Sequence, residues 1–336
     1  MTQSGADSQA GADSQAGAGS QAGAGDAGAA RAALPKRPMR PRELQDRLNY
    51  HLYHPLAWRL AKALAHTPAT PNMVSIFGGL LVVAAGVVYF NMDATGGTWR
   101  LGWPWGAMLG MALHMSWHVV DGADGDLARI TGRSSPIGEM VDGICDYVSH
   151  IVLYVLLALV LTRQIGSGEA WAWTLAAGAS HIVQSNHVEV QRRFYQYWTY
   201  GVPWLNNAKE GGSGLFGSRG WFARLLEPVA RAYLVLAAGM TPYARQIDEA
   251  VRAATAEKNV ARLDAIRAEV AREQKPLLDF LKLLGPNPRA IVLGLAMIAG
   301  SPVWYFFYQT VVLNLLLVIS VQLHNRAAKA TASRIG

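Results

Sequence analysis

Several stretches of this 336-residue chain run for about twenty residues with few charges, the length a helix needs to cross the hydrocarbon core of a bilayer. Six such segments are expected. They cover residues 72–90, 101–128, 137–161, 169–197, 288–299 and 305–323, the fourth continuing beyond the membrane and the short fifth extending through Trp304. Thr70-Pro71-Asn72 opens the first with a helix-start signal. Residues 222–240 are interrupted by Arg224, Glu227, Pro228 and Arg231, so they are read as interfacial. Residues 44–64 mix leucines with Arg47, Arg59 and Lys62, the pattern of an amphipathic helix lying in the membrane interface. The fold class expected is therefore an all-α integral membrane protein, with six transmembrane helices and an N-terminal interfacial helix.

The rest of the chain divides around those spans. Residues 1–33 repeat GADSQA-like units of small and polar residues, which cannot bury enough surface to offset chain entropy, and are expected to be disordered. Residues 34–70 hold a basic stretch and the amphipathic helix, and residues 71–200 the first four spans. A polar insertion covers 201–287, glycine-rich at 211–220 and charged and helical over 247–273; residues 288–336 hold the last two spans and a basic tail. The net charge of +7 is spread over tails and loops, which suits an anionic membrane surface better than a nucleic-acid groove. No nucleic-acid-binding motif accompanies it. One cysteine, Cys145, excludes a disulfide framework and a cysteine zinc site, and no apolar signal core opens the chain. With the N-terminus inside, Arg129, Arg133, Arg192, Arg193, Arg326 and Lys329 share one side, against Arg100 and Arg163 on the other. That bias turns the inner ends of the second and third spans toward the cytoplasm.

Four carboxylates lie at those inner ends, in DGADGDLARITGRSSPIGEMVDGICD, residues 121–146. Asp121 and Asp124 are three apart and Asp142 and Asp146 four apart, so each pair projects from one face of its helix. The short connection between the helices makes them antiparallel neighbours, able to bring the pairs together. Carboxylates at a membrane edge are costly unless paired or metal-bound. An ion-pair network with Arg129 and Arg133 would balance only two of the four. All-oxygen ligands at this density suit Mg²⁺ or Mn²⁺, and two such ions can bridge a diphosphate. Arg129 offers a planar fork for phosphate oxygens. Ser135 and Pro136 also fit a simple helix start. His114 and His118, four apart, and His181 and His187 read as packed histidines. The aromatics at Phe194, Tyr195, Tyr197, Trp198 and Tyr200, next to Arg192 and Arg193, suit a membrane-interface belt, or a cradle for an acceptor headgroup.

The pattern Asp-x2-Asp-Gly-x2-Ala-Arg-x8-Gly-x3-Asp-x3-Asp resembles the signature of the CDP-alcohol phosphotransferases. It is filled at Asp121, Asp124, Gly125, Ala128, Arg129, Gly138, Asp142 and Asp146, with Thr70-Pro71-Asn72 matching upstream. The resemblance implies a six-helix membrane enzyme, usually a homodimer, with a site open to the cytoplasm. It implies transfer of a phospho-alcohol from a CDP-alcohol donor to an acceptor hydroxyl with release of CMP, in phospholipid biosynthesis. It further implies one metal on Asp121, Asp124 and Asp142, a second on Asp121, Asp142 and Asp146, and Asp146 as proton acceptor. Pro71, Asn72, Gly125, Arg129 and Ser135 fall where the family touches CDP, and Gly138 is the structural glycine of its motif. CDP-diacylglycerol is the expected donor. Ser-Pro-x-Gly-Glu is similar to the choline and ethanolamine branch, in which CDP carries the small alcohol and a lipid hydroxyl accepts, so the acceptor stays open.

Two other classes compete. Intramembrane prenyltransferases also hold diphosphates through aspartates, but their two acidic motifs lie in separate halves of the chain, as that family shows. A transporter using the carboxylates as an ion relay would be expected to show inverted repeats or broken helices at mid-membrane; no internal repeat is seen in the spans.

Overall fold

The computed structural model describes residues 41–92, 102–202 and 240–335, apart from the side chains of Pro136, Ile137 and Glu139. The N-terminal repeats, the glycine-rich part of the insertion and nearly all of the interfacial segment expected at 222–240 lie outside the described residues. Within them the chain is helical, without strands. A π-helical turn at Asn49–Tyr53 leads into α1 (His54–Leu64). There follow α2 (Pro71–Met92), α3 (Trp105–Thr131), α4 (Pro136–Ile165) and α5 (Ser167–Tyr200). After the undescribed segment come α6 (Ala244–Ala256), α7 (Val260–Leu283), α8 (Pro286–Ile298), α9 (Val303–Phe307), a second π-helical turn at Tyr308–Val312, and α10 (Leu313–Ile335).

Local signals account for the boundaries that matter to the site. Pro71 opens α2 at its first residue, where a missing N–H costs nothing. Gly132 ends α3 in the left-handed region, at φ 66°, which a residue with a side chain adopts only under strain. Three residues later Ser135 caps α4, its Oγ accepting from the Gly138 N–H at 3.0 Å, with Pro136 at the first helical position. The turn is too short for anything but an antiparallel hairpin, so the end of α3 and the start of α4 lie together, as expected.

Packing then fixes the register. The inner core joins Val82, Ala85 and Tyr89 of α2 to Leu153 and Leu157 of α4, Leu293 and Met297 of α8, and Phe306 of α9. Gly110 of α3 is required there: a Cβ would stand 2.4 Å from the Tyr89 ring. One face of α1 buries Ala57 and Ala61 against Val120, Ala123 and Leu127 of α3, while Leu52 and Leu56 stay exposed. A separate core lies under α6 and α7, where Ile247, Val251, Ile266 and Val270 meet Val190, Phe194 and Trp198 of α5. The aromatics of residues 194–200 were expected at a membrane interface or around a headgroup. Instead Phe194, Tyr195 and Trp198 are buried, and Trp198 donates to Asp248 of α6 at 2.5 Å. An aromatic surplus near the end of a span has the same composition whether lipid or a covering helix pair meets it.

Four helices among the described residues are long and apolar enough to cross a membrane: Pro71–Met92, Met140–Ile165, Val260–Ile298 and Val303–Ile335. Two of the six expected spans, α3 and α5, fall below that apolarity because their polar residues turn inward. Asp124 and Asp126 of α3 are buried, as are Gln184, Asn186, His187 and Gln191 of α5. At 34 residues, α5 is about 50 Å long and exceeds a hydrocarbon core of about 30 Å. The insertion also differs from expectation at its end. Only Leu284 and Gly285 separate α7 from α8, so the charged helix runs almost directly into the fifth segment.

Candidate active site

The two aspartate pairs meet where α3 and α4 pack against α2. One carboxylate oxygen from each of Asp121, Asp142 and Asp146 lies within 4.8 Å of the others. Asp121 and Asp146 come within hydrogen-bond reach, as do Asp124 and Asp142. Asp124 is held from two sides: the Ser75 hydroxyl of α2 donates to Oδ2 at 2.5 Å, and the Gly125 N–H donates to Oδ1. Trp117, one turn before Asp121, donates its indole N–H to Asp146 Oδ1 at 3.0 Å. The Asp146 carbonyl accepts from Ser149 at 3.0 Å and faces His150 Nδ1 at 2.8 Å. None of the four carboxylates forms an ion pair with a described Arg or Lys. Three carboxylate oxygens converging without a countercharge fit a hard divalent cation, which prefers oxygen donors.

The residues expected to touch the donor fall into two groups. Asn72, at the start of α2, and Ser135 flank Gly138: a Cβ on Gly138 would stand 3.2 Å from Ser135 Oγ and 3.5 Å from Asn72 Oδ1. Pro71 begins the same turn. Gly125 and Arg129 form the second group, since a Cβ on Gly125 would lie 3.6 Å from the Arg129 guanidinium. Arg129 is half-exposed and ion-paired with Asp126, which is buried. Its fork is therefore aimed by a neighbour three residues earlier rather than standing free.

Arg192 and Arg193, the weak candidates for the acceptor, pair with Glu189 of their own helix at 3.0 and 2.5 Å. Own-helix pairing at i,i+3 and i,i+4 satisfies both without any ligand. His114 and His118 are buried among Tyr53, Trp117 and His150, as packed histidines. His181 faces Tyr154 Oη at 3.2 Å, and His187 faces Ser320 at 2.9 Å. Cys145 is partly buried beside the cluster. Ser75, Trp117, Asp126 and His150 were not singled out from sequence. Asp126 carried a readable signal, a fifth acid spaced to reach Arg129. Ser75 carried a weaker one, a hydroxyl in an otherwise apolar span.

Fold and site together define a helical membrane protein with a carboxylate pocket built by one helical hairpin and braced by the helix before it. Residues 68–203, which contain that hairpin and its brace, match the family model for CDP-alcohol phosphatidyltransferase. Ethanolaminephosphotransferase 1 of Pongo abelii is similar: 30% identical over 122 residues, 34% of this chain and 30% of the relative. The chain thus matches about a third of the length of that curated relative. No solved structure matches.

Proposed function

We propose that this protein is a phosphotransferase of phospholipid biosynthesis that moves a phospho-alcohol from a CDP-alcohol, CDP-diacylglycerol in the leading case, to an acceptor hydroxyl and releases CMP. The observation that carries this is the convergence of Asp121, Asp142 and Asp146 within 4.8 Å, inside a segment matching the CDP-alcohol phosphatidyltransferase family. Asp121, Asp124 and Asp142 would hold one divalent cation, and Asp121, Asp142 and Asp146 a second. When bound, Mg²⁺ or Mn²⁺ supplies positive charge against the diphosphate and its departing phosphate.

The protein's own groups do the rest. Ser75 and the Gly125 N–H fix both oxygens of Asp124. Asn72 and Ser135 offer polar contacts to the nucleotide at the abutting ends of α2 and α4, and Arg129, steadied by Asp126, adds charge for a phosphate. Trp117 donates to Oδ1 of Asp146 and so orients the carboxylate that would take the acceptor's proton as the acceptor oxygen attacks phosphorus. The bond from phosphorus to the CMP oxygen breaks as the new one forms. The Lys and Arg bias supports a site facing the cytoplasm, and the family resemblance supports a homodimer.

A second reading, a CDP-linked small alcohol with a lipid hydroxyl as acceptor, is favoured by the similarity to an ethanolaminephosphotransferase. Purified protein in mixed micelles, offered CDP-diacylglycerol or CDP-ethanolamine with a panel of acceptors, separates the two by which donor yields CMP. EDTA is expected to stop that release, and Mg²⁺ or Mn²⁺ to restore it. Release insensitive to EDTA would refute the metal-dependent reading.

A further inference from the structure

A glycine inside a helix needs a reason, since it favours the helix less than any residue except proline. Close packing is the reason at Gly86, Gly110, Gly122 and Gly294. A Cβ at these positions would stand 2.9 Å from Leu156, 2.4 Å from the Tyr89 ring, 3.1 Å from Ala57 and 2.4 Å from Met111. Gly143 of α4 is different: no described atom would lie within 4 Å of its Cβ. Its φ is not in the left-handed region either. Neither packing nor backbone conformation calls for a glycine here.

Its position supplies another reason. Gly143 directly follows Asp142 and precedes Asp146 by three residues. Successive residues of a helix are turned by about 100°, which places Gly143 between two stripes of α4. On one side Asp146 and His150 turn toward α3, where Trp117 meets both. On the other side Ile144, Tyr147, Ile151 and Val155 are exposed, on a helix long and apolar enough to cross a membrane. That second stripe therefore faces acyl chains. Gly143 marks the border where the carboxylate pocket meets the bilayer, and a side chain there would stand in the path from one to the other. Both transferase readings need such a path, because in each of them one substrate is a lipid. We propose that Gly143 is a specificity-determining gap, through which the lipid-bearing substrate brings its reacting group from the bilayer to the carboxylates. The glycerol backbone crosses the glycine, and the chains lie along Ile144, Tyr147 and Ile151. This inference rests on the transferase reading above and adds to it the route of the lipid.

The test uses the full chain in mixed micelles with the donor that releases CMP. Gly143→Ala and Gly143→Leu are compared with wild type, and Gly178→Ala on α5, where the surroundings are equally open, is the control. Both alanine variants are expected to raise the thermal unfolding midpoint by about 2 °C. Gly143→Leu is expected to raise KM for the lipid-bearing substrate at least about tenfold, with KM for the water-soluble partner within about twofold. Gly143→Ala should raise the lipid KM by less, and Gly178→Ala should leave it unchanged. Whether donor or acceptor responds says which of them carries the lipid. Independently of turnover, a diacylglycerol with a diazirine in one chain is expected to label the Tyr147 peptide of wild type saturably. In Gly143→Leu that labelling should only follow the bulk concentration of the probe. Should Gly143→Leu not fold, Gly143→Ala carries the comparisons, with a lipid KM raised at least about threefold. A lowered midpoint in Gly143→Ala would make the glycine a packing residue and overturn the inference. Unchanged lipid KM in a folded Gly143→Leu, or equal rises in both KM values, overturns it while leaving the transferase standing. No CMP release from any donor, together with saturable labelling that Gly143→Leu abolishes, refutes the transferase and keeps the lipid path. Absence of saturable labelling in wild type removes the path.

Discussion

Replacing Ser75 with alanine should weaken divalent-metal binding without unfolding the protein. The Ser75 hydroxyl has one proton and two nearby acceptors, Asp124 Oδ2 at 2.5 Å and the Pro71 carbonyl at 3.2 Å. The shorter, charge-assisted bond to the carboxylate takes it. Both partners are buried, at 6% exposure each, so water does not replace the lost donor. A hydrogen bond to a charged group in such a place is worth about 1.5–3 kcal/mol, or about 10- to 150-fold if it falls wholly on metal affinity. The substitution removes a single oxygen and leaves the neighbouring Val74 and Gly78 contacts of α2 in place, so the packing loss is small. Titrating Mn²⁺ against the protein by electron paramagnetic resonance reads free ion directly, and CMP release against metal concentration gives a second measure. Apparent metal affinity should fall by at least about tenfold in Ser75→Ala, turnover at saturating metal should largely recover, and Ser75→Thr should stay near wild type. Metal affinity unchanged in a folded Ser75→Ala would show that Asp124 needs no brace from α2, and the account of the pocket's third wall would fail.

Other outcomes are equally specific. Asp146→Asn should abolish turnover while leaving donor binding measurable by isothermal titration; robust CMP release in that variant would remove Asp146 as the proton acceptor. Asp126→Asn should release Arg129 and raise KM for the CDP donor by about three- to tenfold, and an unchanged KM would mean the ion pair is structural only. Asp248, on α6 and so not on a helix long and apolar enough to cross a membrane, is pushed up to about 6 by burial against the opposing bond from Trp198. Its native state therefore binds the proton more tightly than the unfolded chain does. Stability should fall as pH rises from about 4 to about 6 and stay lower above that, by up to about 3 kcal/mol. Asp248→Asn should flatten this slope in thermal unfolding scans, and a slope of the same size in the variant would assign it to another group.

Much of the site is legible because its parts are close in sequence. Helical spacing pairs Asp121 with Asp124 and Asp142 with Asp146, and Gly132, Ser135 and Pro136 mark the turn that brings the pairs together. What needs a third helix is not legible. Nothing local tells Ser75 that it will face Asp124, 49 residues later, or Arg289 that it will reach Ser185 and Gln184 of α5. Composition also misleads where two environments ask for the same residues. Aromatics at the end of α5 serve a buried core under α6 and α7 as well as they would serve an interface. The α3 and α5 segments show the converse: their inward polar residues lower their apolarity below that of a membrane-crossing helix.

The hairpin that gathers the four aspartates also sets an order of assembly. Its contacts join neighbours in the chain, so α2, α3 and α4 can close on one another as soon as they emerge, since local contacts form early and synthesis favours N-terminal structure. The acidic pocket can therefore form before the insertion is made, with only protons or dissolved cations to balance it. Ionic conditions during biosynthesis thus bear on whether the molecule is built, and not only on how fast it turns over.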